Sequence, residues 1–325
     1  MALDLPAEAA RIGEQIVALL TTQVKRRGIV LGLSGGIDSS CVAALCVRAL
    51  GPERVVGLLM PERESSASTL GISRNLAETL GIKYHHVDIS AQLAASGAYA
   101  ARDAAIASVV PGYGDGWKSK IVLGHVGAQG GAASPGMNVY YVVAQPPSGE
   151  QIRKRLTRDA YLTIVAATNY KQRIRKMTEY FWADKLHFAV AGTPNRLEYD
   201  QGFFVKGGDG LADIKPIAHL YKTQVYAMAA ATGVPADICA RAPTTDTYSL
   251  EQGQDEFYFA LPYQQMDQCL WAKNHGYKPG DIAQALGLSA AQVAHVYADI
   301  DQKRATTRPL HLAGLLCGDV RELAP

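Results

Sequence analysis

The sequence has few cysteines and no pattern among them. Its five cysteines are scattered over 325 residues, no two form a CxxC pair, and no histidine set at zinc-binding spacing lies near them. This distribution argues against a structural zinc site and against the disulfide framework of small secreted domains. The thiols are therefore expected to be reduced and mostly buried.

The sequence also lacks long apolar runs and an excess of charge of either sign. It contains no 18 consecutive apolar residues, and residues 1–20 include acids instead of a basic start followed by an apolar block. We therefore expect a cytoplasmic protein that neither spans nor binds a membrane. The 32 Lys and Arg against 30 Asp and Glu give a net charge of +2, which offers no general attraction to nucleic acid. Any anion must be held by a local site.

The apolar share of 48% and the charged share of 19% are typical of a globular chain in which short strands alternate with helices. Buried strands are predicted at residues 28–33, 54–60, 84–90 and 187–192. Helices are predicted at residues 7–25, 41–50, 66–81, 157–168, 171–183 and 221–232. This alternation predicts an α/β fold with a doubly wound parallel sheet.

Two segments depart from the alternation. Gly, Pro and Ser dominate about residues 105–155, which predicts an insertion of loops, with room for one hairpin and a strand at 139–144. After residue 241 the pattern indicates short helices and loops. We expect one domain over residues 1–270 and a helical extension over 271–325 that packs on the same domain.

A predicted strand, a glycine-rich turn and a helix meet at residues 29–40, which read IVLGLSGGIDSS. Backbone N–H groups and the positive end of the helix dipole converge at such a turn, so it can hold an anion. The Walker pattern is absent, because Ile37 and Asp38 stand where it needs Gly and Lys, and GxGxxG fails at Ser34. An acid beside polyphosphate suits a divalent cation between them, so Asp38 is a candidate Mg²⁺ ligand. The alternative is a helix N-cap with no ligand.

The SGGxDS pattern resembles the pyrophosphate loop of the N-type ATP pyrophosphatases, which cleave ATP between the α- and β-phosphates and transfer AMP to an oxygen. Residues 192–226 resemble the NAD synthetase family within that group. They read GTPNRLEYDQGFFVKGGDGLADIKPIAHLYKTQVY, against the family patterns GTxNxxE, GYxTKxGDG and DxxPIxxLYKTxV. NYKQRIR (169–175) and PTTDTYSLEQGQDE (243–256) resemble two further segments of that family. The matching segments follow the family's order.

The resemblance implies an ammonia-using NAD synthetase that amidates deamido-NAD through an adenylated carboxylate and releases AMP and pyrophosphate. It implies Asp38 and Glu198 as Mg²⁺ ligands, and Asp38, Lys222 and Thr244 as the catalytic residues. A lysine point charge there suits a phosphorus that gathers negative charge. The implied ATP-binding residues are Gly32, Ser34, Gly35, Gly36, Asp38, Ser39, Ser40, Met60, Thr193, Lys222 and Thr244. The implied residues for the dinucleotide substrate are Asn169, Arg173, Lys206 and Asp209.

The family also implies a homodimer and a source of ammonia. Only one predicted helix precedes the strand of the SGGIDS turn, so the glutaminase domain of the longer family members is not expected. Ammonia is then free or delivered by a separate glutaminase chain. Two of the implied residues also have a non-functional interpretation. Glu198 could be a surface acid paired with Arg196, and Lys222 could be a solvated cation on a helix.

Two departures from the family pattern allow a carboxylate substrate other than deamido-NAD. Val205 and Gly207 replace a frequent threonine and aromatic residue, and the insertion at 105–155 is longer than the usual connection. A related enzyme that adenylates and amidates a different carboxylate is therefore a second hypothesis.

A nucleotide-binding regulator is the third hypothesis. Residues 280–304 have the spacing of a helix-turn-helix, with Gly287 at the turn. Its second helix carries acids and has no Lys or Arg before Lys303, so it would repel DNA phosphates. The sequence therefore favours an enzyme that does not bind nucleic acid.

Overall fold

The protein is described from a computed structural model that covers residues 2–123, 139–243, 248–250, 253, 258–259 and 261–318. The strands, in chain order, are β1 (Ile29–Gly32), β2 (Val55–Leu59), β3 (Lys83–His86), β4 (Lys118–Leu123), β5 (Tyr140–Gln145), β6 (Ile152–Arg155) and β7 (Ala189–Val190). The helices are α1 (Leu5–Leu19), α2 (Ile37–Leu50), α3 (Ala67–Thr79), α4 (Ser90–Ala95), α5 (Ala98–Ala107), α6 (Arg158–Leu186), α7 (Arg196–Gln201), α8 (Lys222–Ala231), α9 (Ala236–Cys239), α10 (Tyr263–Asn274), α11 (Pro279–Leu286) and α12 (Ala290–His311).

A parallel sheet of order β3-β2-β1-β7 forms the centre of the molecule. The chain runs from β1 outward to β3 and then returns to the other side of β1. In an open sheet of this kind, ligands bind at the carboxyl ends of the strands where the order reverses. The doubly wound parallel sheet is confirmed, and its reversal point lies between β1 and β7.

Both faces of the sheet are covered at its central strands, which explains why β1 and β2 are apolar throughout. Ile29 and Leu31 of β1 belong to a core with α1, α2 and α8. Val30, between them, belongs to a second core with Ala183 of α6. Successive side chains of a strand point to opposite faces, so an unbroken apolar run is what a doubly covered strand requires.

Helix α6 is one element of 29 residues, so the prediction of two helices at 157–168 and 171–183 is wrong. Thr157 caps its start by accepting a hydrogen bond from the Ala160 N–H, and His187, at φ 56°, ends it. The predicted break contains neither Gly nor Pro. Thr168 and Lys171 are buried there, so polar residues that suggested a gap lie inside the packed helix.

The insertion carries a second, antiparallel sheet of order β4-β5-β6. The strand predicted at 139–144 is confirmed as β5, but the loop-rich character of the segment concealed β4 and β6. Residues 124–138, between β4 and β5, lie outside the described residues. The insertion therefore contributes ordered structure beside the main sheet.

The C-terminal helices pack around their own apolar core. α11 ends at Gly287, whose φ of 65° lets the chain turn into α12, as the helix-turn-helix spacing predicted. Residues of α10, α11 and α12 form this core together with Leu197 of α7. α10 runs across residue 270, where the extension was expected to begin.

Two features expected from the composition can be compared with the structure. The five cysteines are free, and three of them, Cys41, Cys46 and Cys269, are buried. Among the helices in the described part of the chain, none is both long and apolar enough to cross a membrane.

Candidate active site

A cavity of about 730 Å³ lies at the carboxyl ends of β1, β2 and β7, where the sheet topology places a ligand site. Its volume is in the range of small-molecule and cofactor sites. Most of the predicted site residues lie in its wall: Gly32, Ser34, Gly35, Gly36, Asp38, Ser39, Met60, Asn169, Thr193, Glu198, Asp209 and Lys222. Sequence segments more than 180 residues apart thus meet around one space.

The turn after β1 has the geometry of an anion site. Gly35 has φ 71°, and a Cβ there would lie 3.2 Å from both Ser73 Oγ and Thr69 O, so glycine suits this position in two ways. The N-cap of α2 is Gly36, and no side chain among the described residues caps this helix. The alternative of a Ser or Asp cap is therefore not what the structure shows. The first N–H groups of α2 are directed to the cavity end of the helix, as phosphate-binding turns require.

The three serines of the turn differ in their surroundings. Ser34 Oγ and Ser39 Oγ lie 3.1 Å apart in the cavity wall. Ser40 is fully buried, and its hydroxyl donates a 2.8 Å hydrogen bond to Gly36 O. Ser34 and Ser39 are therefore placed to meet a ligand, whereas Ser40 is outside the cavity wall and stabilises the turn.

Asp38, which is partly exposed to the cavity, forms an ion pair with the buried Lys222 beside the turn. Lys222 Nζ donates to Asp38 Oδ2, and Asn195 Nδ2 donates to Asp38 Oδ1 at 2.9 Å. Burial lowers the pKa of Lys222, but the carboxylates of Asp38 and Glu198 outweigh it and raise that pKa above its ordinary value. With 2% exposure, Lys222 is not the solvated cation of the non-functional interpretation.

Helix α8 fixes Lys222 from its first turn. Lys222 is the first residue of α8, and its backbone N–H donates to Asp267 Oδ1 at 3.2 Å. The N–H of Thr223 donates to Asp267 Oδ2 at 2.7 Å. Burial raises the pKa of Asp267 to about 6. Asp267 is thus an acid that caps the helix start and holds the lysine backbone in place.

Glu198 is positioned by a capping box at the start of α7. Asn195 Oδ1 accepts from the Glu198 N–H, and Glu198 Oε2 accepts from the Asn195 N–H, both at 3.2 Å. Asn195 therefore touches both acids, Asp38 through its amide and Glu198 through this box. Arg196 forms an ion pair with Asp200 at 3.5 Å.

The donor set of the cavity suits magnesium. Among the described residues, no three or more His, Cys, Asp or Glu side chains cluster as a metal site. Asp38 and Glu198 supply two carboxylates to one cavity wall beside the anion turn. Mg²⁺ in nucleotide enzymes is commonly held by one or two carboxylates together with substrate phosphates, so the two residues fit that ion.

The residues predicted for the dinucleotide substrate divide into two groups. Asn169 and Asp209 line the cavity, and Asp209 accepts a 2.8 Å hydrogen bond from the Val205 N–H. Arg173 lies outside the cavity wall and donates to Lys206 O at 3.3 Å. Lys206 is exposed, and its ammonium donates to Pro309 O at 3.0 Å. The structure thus brings Arg173 and Lys206 together, but outside the cavity.

Helix α6 adds cavity residues that were not among the predicted site residues. Arg175, two residues after Arg173, lines the cavity and donates to Met60 O at 3.4 Å. Lys176 and Glu179 form a buried pair in the same wall, and burial raises the pKa of Glu179. Opposite charges three residues apart look like a surface pair in sequence, so only the packing of α6 reveals them.

The loop after β2 is held by a buried, charge-balanced network. Lys171 Nζ donates to Glu62 Oε1 at 3.0 Å and to Glu64 Oε2 at 2.6 Å. Arg102 of α5 pairs with Glu64, and the Tyr99 hydroxyl donates to Glu62 at 2.6 Å. Glu64 also lines the cavity, so the network fixes one wall before a ligand arrives.

The insertion also reaches the cavity. Tyr140 of β5 stacks on Tyr161 of α6 with ring centroids 4.2 Å apart, and both line the wall. Neither tyrosine was predicted from the sequence. Asn195 was not predicted either, although the N-x-x-E spacing at 195–198 is the signal of a capping box. Thr244, predicted to contact phosphate, lies outside the described residues.

Comparison with known proteins identifies similar sequences over almost the whole chain. A family model described as NAD synthase matches residues 12–111 and 143–308. A Mesorhizobium japonicum protein named NH(3)-dependent NAD(+) synthetase is 52% identical over 322 residues, which are 99% of this chain and 99% of that protein. A Rhizobium meliloti protein of the same name is 52% identical over 321 residues, 99% of this chain and 94% of that protein.

Solved structures share the fold at lower sequence identity. NMN synthetase from Francisella tularensis has a TM-score of 0.66 at 21% identity, covering 97% of this chain and 99% of that one. The NH3-dependent NAD synthetase from Campylobacter jejuni has a TM-score of 0.63 at 21% identity, covering 98% and 100%. At this identity the two structures support the fold alone.

Proposed function

The chain belongs to the NAD synthase family, and we propose that it is a ligase that makes NAD from deamido-NAD, ATP and ammonia. The nicotinate carboxylate attacks the α-phosphorus of ATP, and pyrophosphate leaves. Ammonia then attacks the adenylated carboxyl carbon, the C–N bond forms, and AMP leaves with the electron pair of the C–O bond. The observation that carries the proposal is the Asp38–Lys222 ion pair at the glycine turn.

The ATP side of the site stabilises a leaving pyrophosphate. We assign the backbone of Gly35 and Gly36 and the hydroxyls of Ser34 and Ser39 to the β,γ-phosphates, since they meet at the start of α2. Lys222 keeps its proton at neutral pH because its pKa is raised, so it is a fixed positive charge beside the reacting phosphorus. Thr193, Gly32 and Met60, at strand ends, are assigned to the rest of the nucleotide, and Thr244 to phosphate.

Asp38 and Glu198 would hold Mg²⁺. When bound, the ion would neutralise phosphate charge, and this is why an acid is tolerated beside polyphosphate. Before ATP binds, the charge of Asp38 is balanced by Lys222. Asn195, which bonds to both acids, keeps the two carboxylates directed to the same wall.

The acceptor side positions deamido-NAD and excludes water. We assign Asn169 and Asp209 in the cavity, and Arg173 and Lys206 outside its wall, to this substrate. Positioning of two reactants supplies much of the rate in such a reaction, since the adenylate is itself reactive. Hydrolysis of the adenylate is the competing reaction, so the loop at 202–210 must cover it.

Product analysis of the purified protein tests this function. With ATP, Mg²⁺, ammonium and deamido-NAD, we expect NAD, AMP and pyrophosphate in equal amounts. Absence of deamido-NAD-dependent ATP/pyrophosphate exchange would contradict the proposal. The hypothesis of a nucleotide-binding regulator would then be the next to test.

The alternative function is the same reaction on a carboxylate other than deamido-NAD. The observation that favours it is Tyr140, which the insertion places in the cavity wall. The same assay with the mononucleotide counterpart of deamido-NAD, and with simple aromatic carboxylates, decides it. We expect deamido-NAD to have the highest kcat/KM. A higher value for another carboxylate would assign the enzyme to that substrate.

We propose that the enzyme is a homodimer and that α6 forms the contact. Four large side chains on one face of α6 are exposed: Leu162 at 50%, Tyr170 at 39%, Met177 at 66% and Phe181 at 61%. At 100° per residue they fall within about a third of the helix circumference. A long apolar stripe exposed on a helix is typical of a protein–protein interface.

The oligomeric state of two variants tests the dimer. Phe181→Arg places a charge in the stripe, and we expect a monomer by sedimentation at a concentration where the wild type is a dimer. Leu315→Arg, at an 81% exposed position outside α6, is the matched control and should stay dimeric. A dimeric Phe181→Arg variant would remove α6 from the interface.

The ammonia supply and the compartment are further parts of the proposal. We place the enzyme in the cytoplasm, where free thiols such as its five stay reduced. Ammonia is taken free or from a separate glutaminase chain.

A further inference from the structure

We propose that the last turns of α12 are a positioning element for the acceptor loop, residues 202–210. The inference rests on the proposed function, in which this loop belongs to the deamido-NAD side of the cavity. It goes beyond that function because it gives the C-terminal helix pair, which the sequence analysis left without an enzymatic role, a place in substrate binding. Helix α12 contacts the loop at several separate points.

The first contact is at the start of the loop. Gly202 ends α7 with φ 71°, and a Cβ at this position would lie 2.3 to 2.7 Å from the Thr307 side chain. The Thr307 side chain is therefore packed directly on the loop backbone. Its hydroxyl donates to Lys303 O at 2.7 Å, which fixes the rotamer against the helix.

The second contact is aromatic. The His311 ring meets Phe204 of the loop edge-on, with centroids 5.0 Å apart at 83°. It meets Tyr199 of α7 in the same manner, at 4.9 Å and 85°. Edge-to-face pairs at this distance are attractive. One side chain of α12 thus joins the loop to the helix that precedes it.

The third contact is polar. Lys206 Nζ donates to Pro309 O at 3.0 Å. Carbonyl groups in the last turn of a helix have no intrahelical N–H partner, and a cation at this end interacts favourably with the helix dipole. Lys206 therefore caps α12 while α12 holds the middle of the loop.

The other side of the loop is held through residue 258. Lys303 of α12 donates to Tyr258 O at 2.6 Å, and the Tyr258 hydroxyl donates to Gln201 O at 2.6 Å. The Phe203 ring stacks on Tyr258 with centroids 4.5 Å apart. The loop entrance is thus fixed to α12 from two directions.

Helix α12 can impose a position because it is itself fixed. Arg304 forms two 2.7 Å hydrogen bonds with the Asp200 carboxylate and one of 2.6 Å with Asn274. Val293, Val296 and Ile300 bury the other part of the helix in the C-terminal core. Loss of the contacts at the end of α12 would therefore loosen the loop without unfolding the helix.

Two double variants with the same change in composition test the proposal. Thr307→Ala with His311→Ala removes two contacts to the loop. Thr306→Ala with His295→Ala removes the same two residue types from exposed positions of the same helix. We expect the first variant to raise the KM for deamido-NAD about 2- to 10-fold, with the KM for ATP changed by less than about twofold. The second variant should match the wild type.

Hydrogen exchange gives a readout independent of turnover. Backbone amides of residues 202–210 should exchange faster in the Thr307/His311 variant than in the Thr306/His295 variant, while those of α2 should not change. Equal exchange in the loop, or a KM for deamido-NAD equal to that of the control, would overturn the proposal. A wild type that turns over no deamido-NAD would instead contradict the proposed function, and the exchange comparison would still decide the role of α12.

Discussion

The two sides of the cavity are built by different means. The ATP side consists of strand ends, a glycine turn and an ion pair between Asp38 and Lys222. On the acceptor side, Arg173 of α6 donates to the backbone of Lys206, and Lys206 lies on a loop that contacts Pro309 of α12, 103 residues further along the chain. Buried and mutually paired charges are oriented before a ligand binds, whereas charges on a loop depend on what supports the loop. The ATP side should therefore determine turnover and the acceptor side affinity.

Asp38→Asn should have the largest effect and tests the ATP side. The substitution keeps the shape but removes the charge, so the fold should persist while kcat falls by about 10²- to 10³-fold. Steady-state kinetics at saturating Mg²⁺ measures this, with circular dichroism to check the fold. The control is Asp301→Asn, which removes a carboxylate paired with Lys273 at 2.8 Å on the surface. Near-normal turnover in Asp38→Asn would remove Asp38 from the metal role.

Arg173→Ala should have an intermediate effect and tests the acceptor side. We expect the KM for deamido-NAD to rise about tenfold, as for the loss of a charge-assisted contact, with kcat and the KM for ATP nearly constant. Arg153→Ala is the control, because Arg153 is exposed on β6 over the Tyr141 ring. A fall in kcat with an unchanged KM for deamido-NAD would contradict the proposal that the acceptor side determines affinity and the ATP side turnover.

Asp267→Asn should have the smallest effect of the three variants on catalysis, and its effect is measured as a change in stability. Burial raises the pKa of Asp267 from 3.8 to about 6, so the folded state binds this proton more tightly than the unfolded state. Its protonation favours folding fully below about pH 4, and this contribution is lost as the pH rises through about 6. The stability of the wild type minus that of the variant should fall by about 3 kcal/mol from pH 4 to 7. Thermal melts across that range measure it, and a pH-independent difference would contradict it.

The ATP side was predictable because its information is local. SGGIDSS occupies consecutive residues, and a strand, turn and helix follow directly from their order. The apolar runs of β1 and β2 predicted a doubly covered parallel sheet, which the topology confirms. The ion pair between Asp38 and Lys222 had no local signal. Only the resemblance of residues 192–226 to a family placed both residues at one ligand.

The acceptor side was less predictable because tertiary contacts override its local signals. Polar residues near 168–171 suggested a gap, yet Lys171 is buried against Glu62 and Glu64 inside a continuous helix. Glycines and prolines of the insertion suggested loops, yet they flank a three-stranded sheet. The spacing of Arg173 and Arg175 predicts that they point to different faces of a helix, but it does not tell which of them faces a ligand. The packing of α6 directs Arg175 into the cavity and Arg173 to the loop.

The Asp38–Lys222 pair limits the order in which this enzyme can change over generations. The two residues are 184 positions apart in the chain, yet each is the other's counter-charge, and the Lys222 side chain is only 2% exposed. Replacing either one alone leaves a charge without its partner, at a cost of about 3 to 5 kcal/mol. A single substitution at either position is therefore disfavoured, even where the fold persists. Any descendant with a different pair must have acquired the two changes together or through a compensating third site such as Asn195.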